Sequence, residues 1–284
     1  MGTVYRAVDH RSAEAVALKL VKAEYATDPL FRARFERELR LMRSLSHPHI
    51  LPVLDAGELD EVLFVAMPAV EGTDLEAVLI EQGPLHPAHA VDLIAQVASA
   101  LDVAGDLGLV HRDVKPGNVL LEQRDSGTHA YLGDFGLGKH VSSKSGLTTP
   151  GTWVGSVDYA SPEQIQGEPV DRRTDVYALG AVLYQALAAE VPFPGARDVD
   201  KLLAHLSSSP PQPTAARAGV PEKLDTVVAR AMAKEPSERY ERAGDLADAA
   251  FAAAETSPEP PTKPLVVSQP DRIRPIDRGA PTVG

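Results

Sequence analysis

Short apolar and β-branched runs alternate with polar turns in the first quarter of the chain, and helical periodicity takes over afterwards. Thr3 to Val8 and Val16 to Val21, separated by a polar turn, predict a β-hairpin. From Pro29 to Leu45, positions Leu30, Phe31, Phe35, Leu39, Met42 and Leu45 fall at helical spacing with Arg and Glu between them. His47-Pro48-His49 ends that helix. Ile50 to Leu54 and Val62 to Met67 predict two further strands joined by a turn around Gly57.

Beyond Thr73 the spacing predicts a helix over Asp74 to Glu81 and a longer one over Pro87 to Asp106, with Pro in its first turn. Val119 to Leu121 and Tyr131 to Leu132 read as short strands around a loop from Glu122 to Ala130. Asp134 to Pro162 has abundant Gly, Ser and Thr and little periodicity, which predicts a long functional loop. Helices are expected over Arg173 to Glu190, Val199 to Ser207, Glu222 to Lys234 and Arg242 to Glu255. Strands with one helix, then mostly helices, is the pattern of an α+β protein with a small sheet-based lobe and a larger helical lobe. Residues 257–284 are Pro-rich and aperiodic, and read as a disordered tail or linker.

Composition narrows the functional classes. The 284 residues carry a formal net charge of −12, which disfavours nucleic acid as a partner because phosphate binding needs a basic face. There is no cysteine, so disulfides and thiolate zinc sites are excluded, in keeping with a cytoplasmic location. No apolar run is long enough to span a bilayer.

The chemistry concentrates in His111-Arg112-Asp113-Val114-Lys115-Pro116-Gly117-Asn118. Asp113 can accept a proton from an attacking hydroxyl. Lys115 can neutralise a phosphoryl group in flight, and Asn118 can hold a divalent metal through its side-chain oxygen. Phosphoryl transfer asks for this kind of positioning and charge neutralisation more than for a strong nucleophile.

Together with its other motifs, the chain from about Gly2 to Tyr240 resembles the bacterial branch of the eukaryotic-type Ser/Thr protein kinases. Val16-Ala17-Leu18-Lys19 matches the strand with the phosphate-anchoring lysine, and the resemblance implies an ion pair from Lys19 to Glu38. It makes Asp113 and Lys115 catalytic. Asn118 and the Asp134 of Asp134-Phe135-Gly136 become ligands of Mg²⁺ (or Mn²⁺) on ATP. Gly2, Val4, Ala17, Leu120, the back-pocket residue Met67 and the hinge residues Pro68 and Val70 are implied ATP contacts. At Pro68, which has no N–H, only the carbonyl is required. Met42, Val53, His111 and Phe135 match the stack that couples the lobes. Glu163 of Ser161-Pro162-Glu163 is expected to pair with Arg239, and Asp175 to anchor the catalytic loop. Arg112 is implied as the receiver of an activation-loop phosphate, with Thr148, Thr149 and Thr152 as candidate phosphosites.

The implied architecture is a kinase domain over residues 1–256, with a small lobe over 1–67, a large lobe over 68–256 and a tail beyond. Gly2-Thr3-Val4 matches only the last part of the family's Gly-rich loop, so the first strand is expected to lie upstream of Met1. The implied activity is transfer of the ATP γ-phosphate to Ser/Thr hydroxyls of protein substrates, with autophosphorylation in a homodimer. The incomplete Gly-rich loop keeps open a kinase-fold scaffold or nucleotide sensor.

Overall fold

The structure, a computed structural model, describes residues 2–21, 28–60, 62–135, 156–255 and 265–267. The small lobe is a four-stranded antiparallel sheet in the order β1-β2-β4-β3, formed by β1 (Gly2–Val8), β2 (Ala15–Val21), β3 (Asp55–Leu59) and β4 (Val62–Pro68). Helix α1 (Pro29–Ser44) lies between β2 and β3 in the chain. Asp28 starts it by accepting the Leu30 N–H at 2.9 Å, and Pro29 occupies the first turn, where its missing N–H is harmless. Its buried face is Phe31, Phe35, Leu39 and Met42, the predicted helical stripe. Exposed Leu30 marks the edge of that stripe.

The strand expected over residues 50–54 is displaced. Pairing begins at Asp55, and Gly57 sits inside β3 opposite Phe64, so the turn falls at Asp60, whose φ is +48°. Ile50 and Leu51 are buried instead between the lobes, where Ile50 bridges Leu132 in parallel and the Leu51 N–H donates to the Leu132 carbonyl at 3.1 Å. A short apolar run fits a lobe junction as well as a strand.

The large lobe begins with β5 (Gly72–Asp74), α2 (Leu75–Gln82) and α3 (Pro87–Asp106). Then come β6 (Val119–Arg124) and β7 (Gly127–Leu132), forming a three-stranded sheet in the order β5-β6-β7. The expected loop over residues 122–130 is therefore mostly hairpin, with exposed polar arms and a tight turn reached through Gly127 at φ +119°. The helices α4 (Pro162–Gln166), α5 (Arg172–Ala188), α6 (Asp198–Ser207), α7 (Pro213–Ala216), α8 (Lys223–Ala231) and α9 (Ala243–Ala254) complete it. Nearly all of α5 is buried, as a central helix must be. The stretch read as one loop up to Pro162 contains a 3₁₀ turn at Val157–Tyr159 and the start of α4. A single buried cluster runs from α1 and β4 through α3, β6 and β7 to α5, α8 and α9. Leu265 and Val267 pack onto it, while Gln82 at the end of α2 bonds both backbone groups of Val266.

Candidate active site

Residues 110–118 cross the base of the cleft between α3 and β6. Asp175, in the first turn of α5, is buried and fixes this loop by accepting the N–H groups of His111 (2.7 Å) and Arg112 (2.8 Å). Burial pushes its carboxyl up to about 7, and the two amides work against that shift. Arg112 takes a φ of +65°, a strained value for a side-chain-bearing residue, and such strain concentrates at functional sites. Its carbonyl receives the Gln164 amide at 3.0 Å. The His111 ring is fully buried. Its Nδ1 accepts the Asp113 N–H (3.2 Å), so Nε2 carries the hydrogen and donates to the Gly133 carbonyl (2.9 Å).

This scaffold presents Asp113. Its Oδ2 faces the Lys115 ammonium at 3.3 Å and accepts from Asn118 Nδ2 at 3.1 Å. Asn118 Nδ2 also donates to the Asp113 carbonyl at 2.7 Å, which leaves Oδ1 as the Asn118 oxygen able to take a cation. Asp113, Lys115 and Asn118 are therefore brought together as expected.

The roof is one face of the small-lobe sheet. Val4 lies opposite Lys19 and Ala17 opposite Met67, and alternation along β2 puts Ala17 and Lys19 on the same side. Gly2 pairs with Val21 in β1, and a Cβ there would stand 2.2 Å from the Leu20 carbonyl, so only glycine fits. Met67 is buried; Pro68, Val70 and Leu120 are half-buried, with Val70 and Leu120 packed against the main core. Lys19, 13% exposed, is ion-paired with Asp134 at 2.7 Å. Its ion-pair partner is thus Asp134, which takes a φ of +56°, where the resemblance implied Glu38. Met42, His111 and Phe135 are buried, with the His111 and Phe135 rings 4.6 Å apart, and Val53 packs against the same core.

Below the cleft, Glu163 and Arg239 form a buried two-pronged pair at 2.7 and 2.8 Å. The other three guanidinium hydrogens go to the carbonyls of Ala233, Arg173 and Lys234. Thr174 donates a further hydrogen bond to Glu163 at 2.7 Å. Burial alone would raise the Glu163 carboxyl, but the Arg239 bonds outweigh it and hold it below its ordinary value. Gln164 and Thr174 were not singled out by the sequence. The capping box Ser161-x-x-Gln164 was the available signal for Gln164. Gly136, Thr148, Thr149 and Thr152 lie outside the described residues.

Residues 1–251 match the family model for the protein kinase domain. The chain belongs to the protein kinase domain family. It is 46% identical over 259 residues to the serine/threonine-protein kinase PknD of Mycobacterium tuberculosis, covering 90% of this chain and 38% of PknD. It is 42% identical over 257 residues to the serine/threonine-protein kinase PknE of that organism, covering 90% of this chain and 44% of PknE. The chain thus spans less than half the length of these relatives. Among solved structures, the M. tuberculosis PknI kinase domain matches with a TM-score of 0.71 at 33% identity, over 89% of this chain and 91% of that one.

This family uses ATP and a divalent metal, and the kinase domain's donor set suits both. Asn118 and Asp134 stand at the adjoining ends of β6 and β7, where the Gly133 N–H donates to the Asn118 carbonyl at 2.9 Å, and both side chains offer hard oxygen donors. Among the described residues, no group of three or more His, Asp or Glu side chains could hold a metal ion. Two protein oxygens completed by substrate phosphates are what Mg²⁺ accepts. Among the described residues no helix is long and apolar enough to cross a membrane.

Proposed function

We propose that this kinase domain, taken as residues 1–256 with a linker beyond, transfers the γ-phosphoryl group of ATP to serine and threonine hydroxyls of cytoplasmic proteins. The observation that supports this reading best is one carboxylate oxygen of Asp113 facing both Lys115 and Asn118, on a loop fixed by Asp175. The substrate hydroxyl oxygen attacks the γ-phosphorus, the bond to the bridging oxygen of ADP breaks, and the hydroxyl proton passes to Asp113. Lys115 balances the charge that gathers on the transferring group. Val4, Ala17 and Leu120 enclose the adenine, Met67 closes the back of its pocket, and the Pro68 carbonyl and Val70 backbone take its polar edge. Gly2 allows the chain to approach the phosphates closely. Asn118 and Asp134 would hold Mg²⁺, which would supply Lewis-acid stabilisation when bound. Lys19, in the strand that lines the cleft, is proposed to anchor the ATP phosphates, with Glu38 as its implied partner.

Two copies are proposed to phosphorylate each other at Thr148, Thr149 or Thr152, with Arg112 receiving the phosphate. Intact mass after incubation with Mg²⁺ and ATP tests the reading. Phosphate-sized steps are expected in the unaltered chain and not in Asp113→Asn. Equal gain in both, or no transfer to self or to a protein substrate, overturns it.

A further inference from the structure

Outside the cleft, His47, His49 and His129 make a half-buried cluster where the loop after α1 meets β7. Two of them exchange bonds with each other's backbone. His49 Nδ1 lies 2.9 Å from the Ala130 carbonyl, and His129 Nε2 lies 2.9 Å from the Pro48 carbonyl. A carbonyl only accepts, so both of these nitrogens carry hydrogen, and any further proton must go to His49 Nε2 or His129 Nδ1. The two rings lie against each other at a tilt of 30°, with centroids 4.5 Å apart. His47 Nδ1 accepts the His49 N–H at 3.2 Å, which fixes the third ring beside them.

The chain on either side of this cluster leads to the cleft. The His49 carbonyl accepts the Leu132 N–H at 2.8 Å. The next residue, Gly133, holds the His111 ring, and the one after it is Asp134. On the other side, the loop runs back into α1, which carries Glu38.

We propose that His49 and His129 are positioning residues for phosphoryl transfer, a titratable clasp that sets Asp134 while neutral and loosens when both rings are protonated. This rests on the kinase reading above. Two imidazolium rings with centroids 4.5 Å apart repel, and the repulsion falls on the hydrogen bonds that tie the loop to β7. The other charged or titratable groups facing the pair are His47 on the same loop, Asp92 on α3, Glu122 and Arg124 on β6, and Tyr131 on β7. Burial pulls His49 below the ordinary histidine range; the Ala130 carbonyl opposes this and His129 reinforces it. Asp92 attracts a proton to His49 and Arg124 repels one, so neither sign dominates the site. Gln96 holds the hairpin end independently, through Thr128 and Ala130, so the clasp can open without unfolding the sheet.

The test compares the unaltered chain with His49→Asn and His129→Gln, which keep a side-chain N–H near the bonded nitrogen but cannot titrate. All three are expected to transfer phosphate equally well at neutral pH. As pH falls from neutral to below the ordinary histidine range, where burial delays the protonation of His49, kcat of the unaltered chain is expected to fall at least about threefold further than that of either variant. Hydrogen exchange over residues 48–51 and 129–132, followed by mass spectrometry, is expected to quicken on acidification only in the unaltered chain, after correction for the intrinsic pH dependence of exchange. Parallel pH profiles with parallel exchange overturn the clasp. Absence of phosphoryl transfer at every pH overturns the kinase reading instead, while the exchange data still report on the clasp.

Discussion

Single residues in this domain are held by several partners at once, and their protonation follows from that. His205 in α6 has no exposed surface. Its Nδ1 lies 2.9 Å from the Tyr177 hydroxyl, its ring packs edge-on against Phe193, and its carbonyl takes the Lys234 ammonium at 2.8 Å. Burial, with help from the nearby Lys234 charge, lowers its proton affinity to about 4. An unfolded histidine titrates near pH 6.5, so below that value the unfolded chain binds a proton that the folded chain refuses. Stability from this group is complete above about pH 6.5 and is lost as pH falls toward 4, on the order of 3 kcal/mol in all. Urea unfolding at about pH 7.5 and about pH 4.5 checks this, and His205→Gln is expected to lose less between the two. Glu163 adds to acid weakening in a lower range. Arg239 holds its carboxyl below the ordinary carboxylate value, so its contribution is kept above that value and lost below it.

At the scale of elements, close approach decides more than propensity does. Strand β5 lies against β6 with Gly72 opposite Glu122. A Cβ at Gly72 would stand 1.8 Å from the Leu121 carbonyl, which is backbone and cannot step aside. Gly72→Ala is expected to destabilise by roughly 1–3 kcal/mol through overpacking, read as a lower melting temperature. A melting temperature unchanged within error would show that β5 shifts freely. Because β5 follows Pro68 and Val70, the residues proposed to take the polar edge of adenine, the variant is also expected to weaken nucleotide binding. The same scale shows where sequence reading stopped. The stripe Phe31, Phe35, Leu39 and Met42 was legible because helical spacing is a local property, as was Pro87–Asp106 to the residue. Ile50 to Leu54 was not, because an apolar run records burial without saying what buries it.

In the whole molecule, distant segments meet at places with no local signal. The Gln82 side-chain amide donates to the Val266 carbonyl at 2.5 Å and its oxygen accepts the Val266 N–H at 3.4 Å, while Leu265 and Val267 pack on the core and Val266 points outward. Gln82→Ala is expected to speed hydrogen exchange at Val266 about fivefold, the loss of a bond worth ~1 kcal/mol. Unchanged exchange would mean that the packing of Leu265 and Val267 suffices.

The sequence by itself determined the family, the α+β class and its two lobes. Spacing within one loop keeps Asp113, Lys115 and Asn118 near one another, and Asp175 then fixes the loop that presents them. Tertiary structure alone decided who partners whom. Lys19 pairs with Asp134, Asp175 reaches back to His111 and Arg112, Gln164 braces the Arg112 carbonyl, and His49 leans on His129. The reason is range. Hydrophobic periodicity and turn chemistry act over a few residues, whereas these contacts join positions far apart in the chain and exist only once the buried core has fixed the path of the backbone between them.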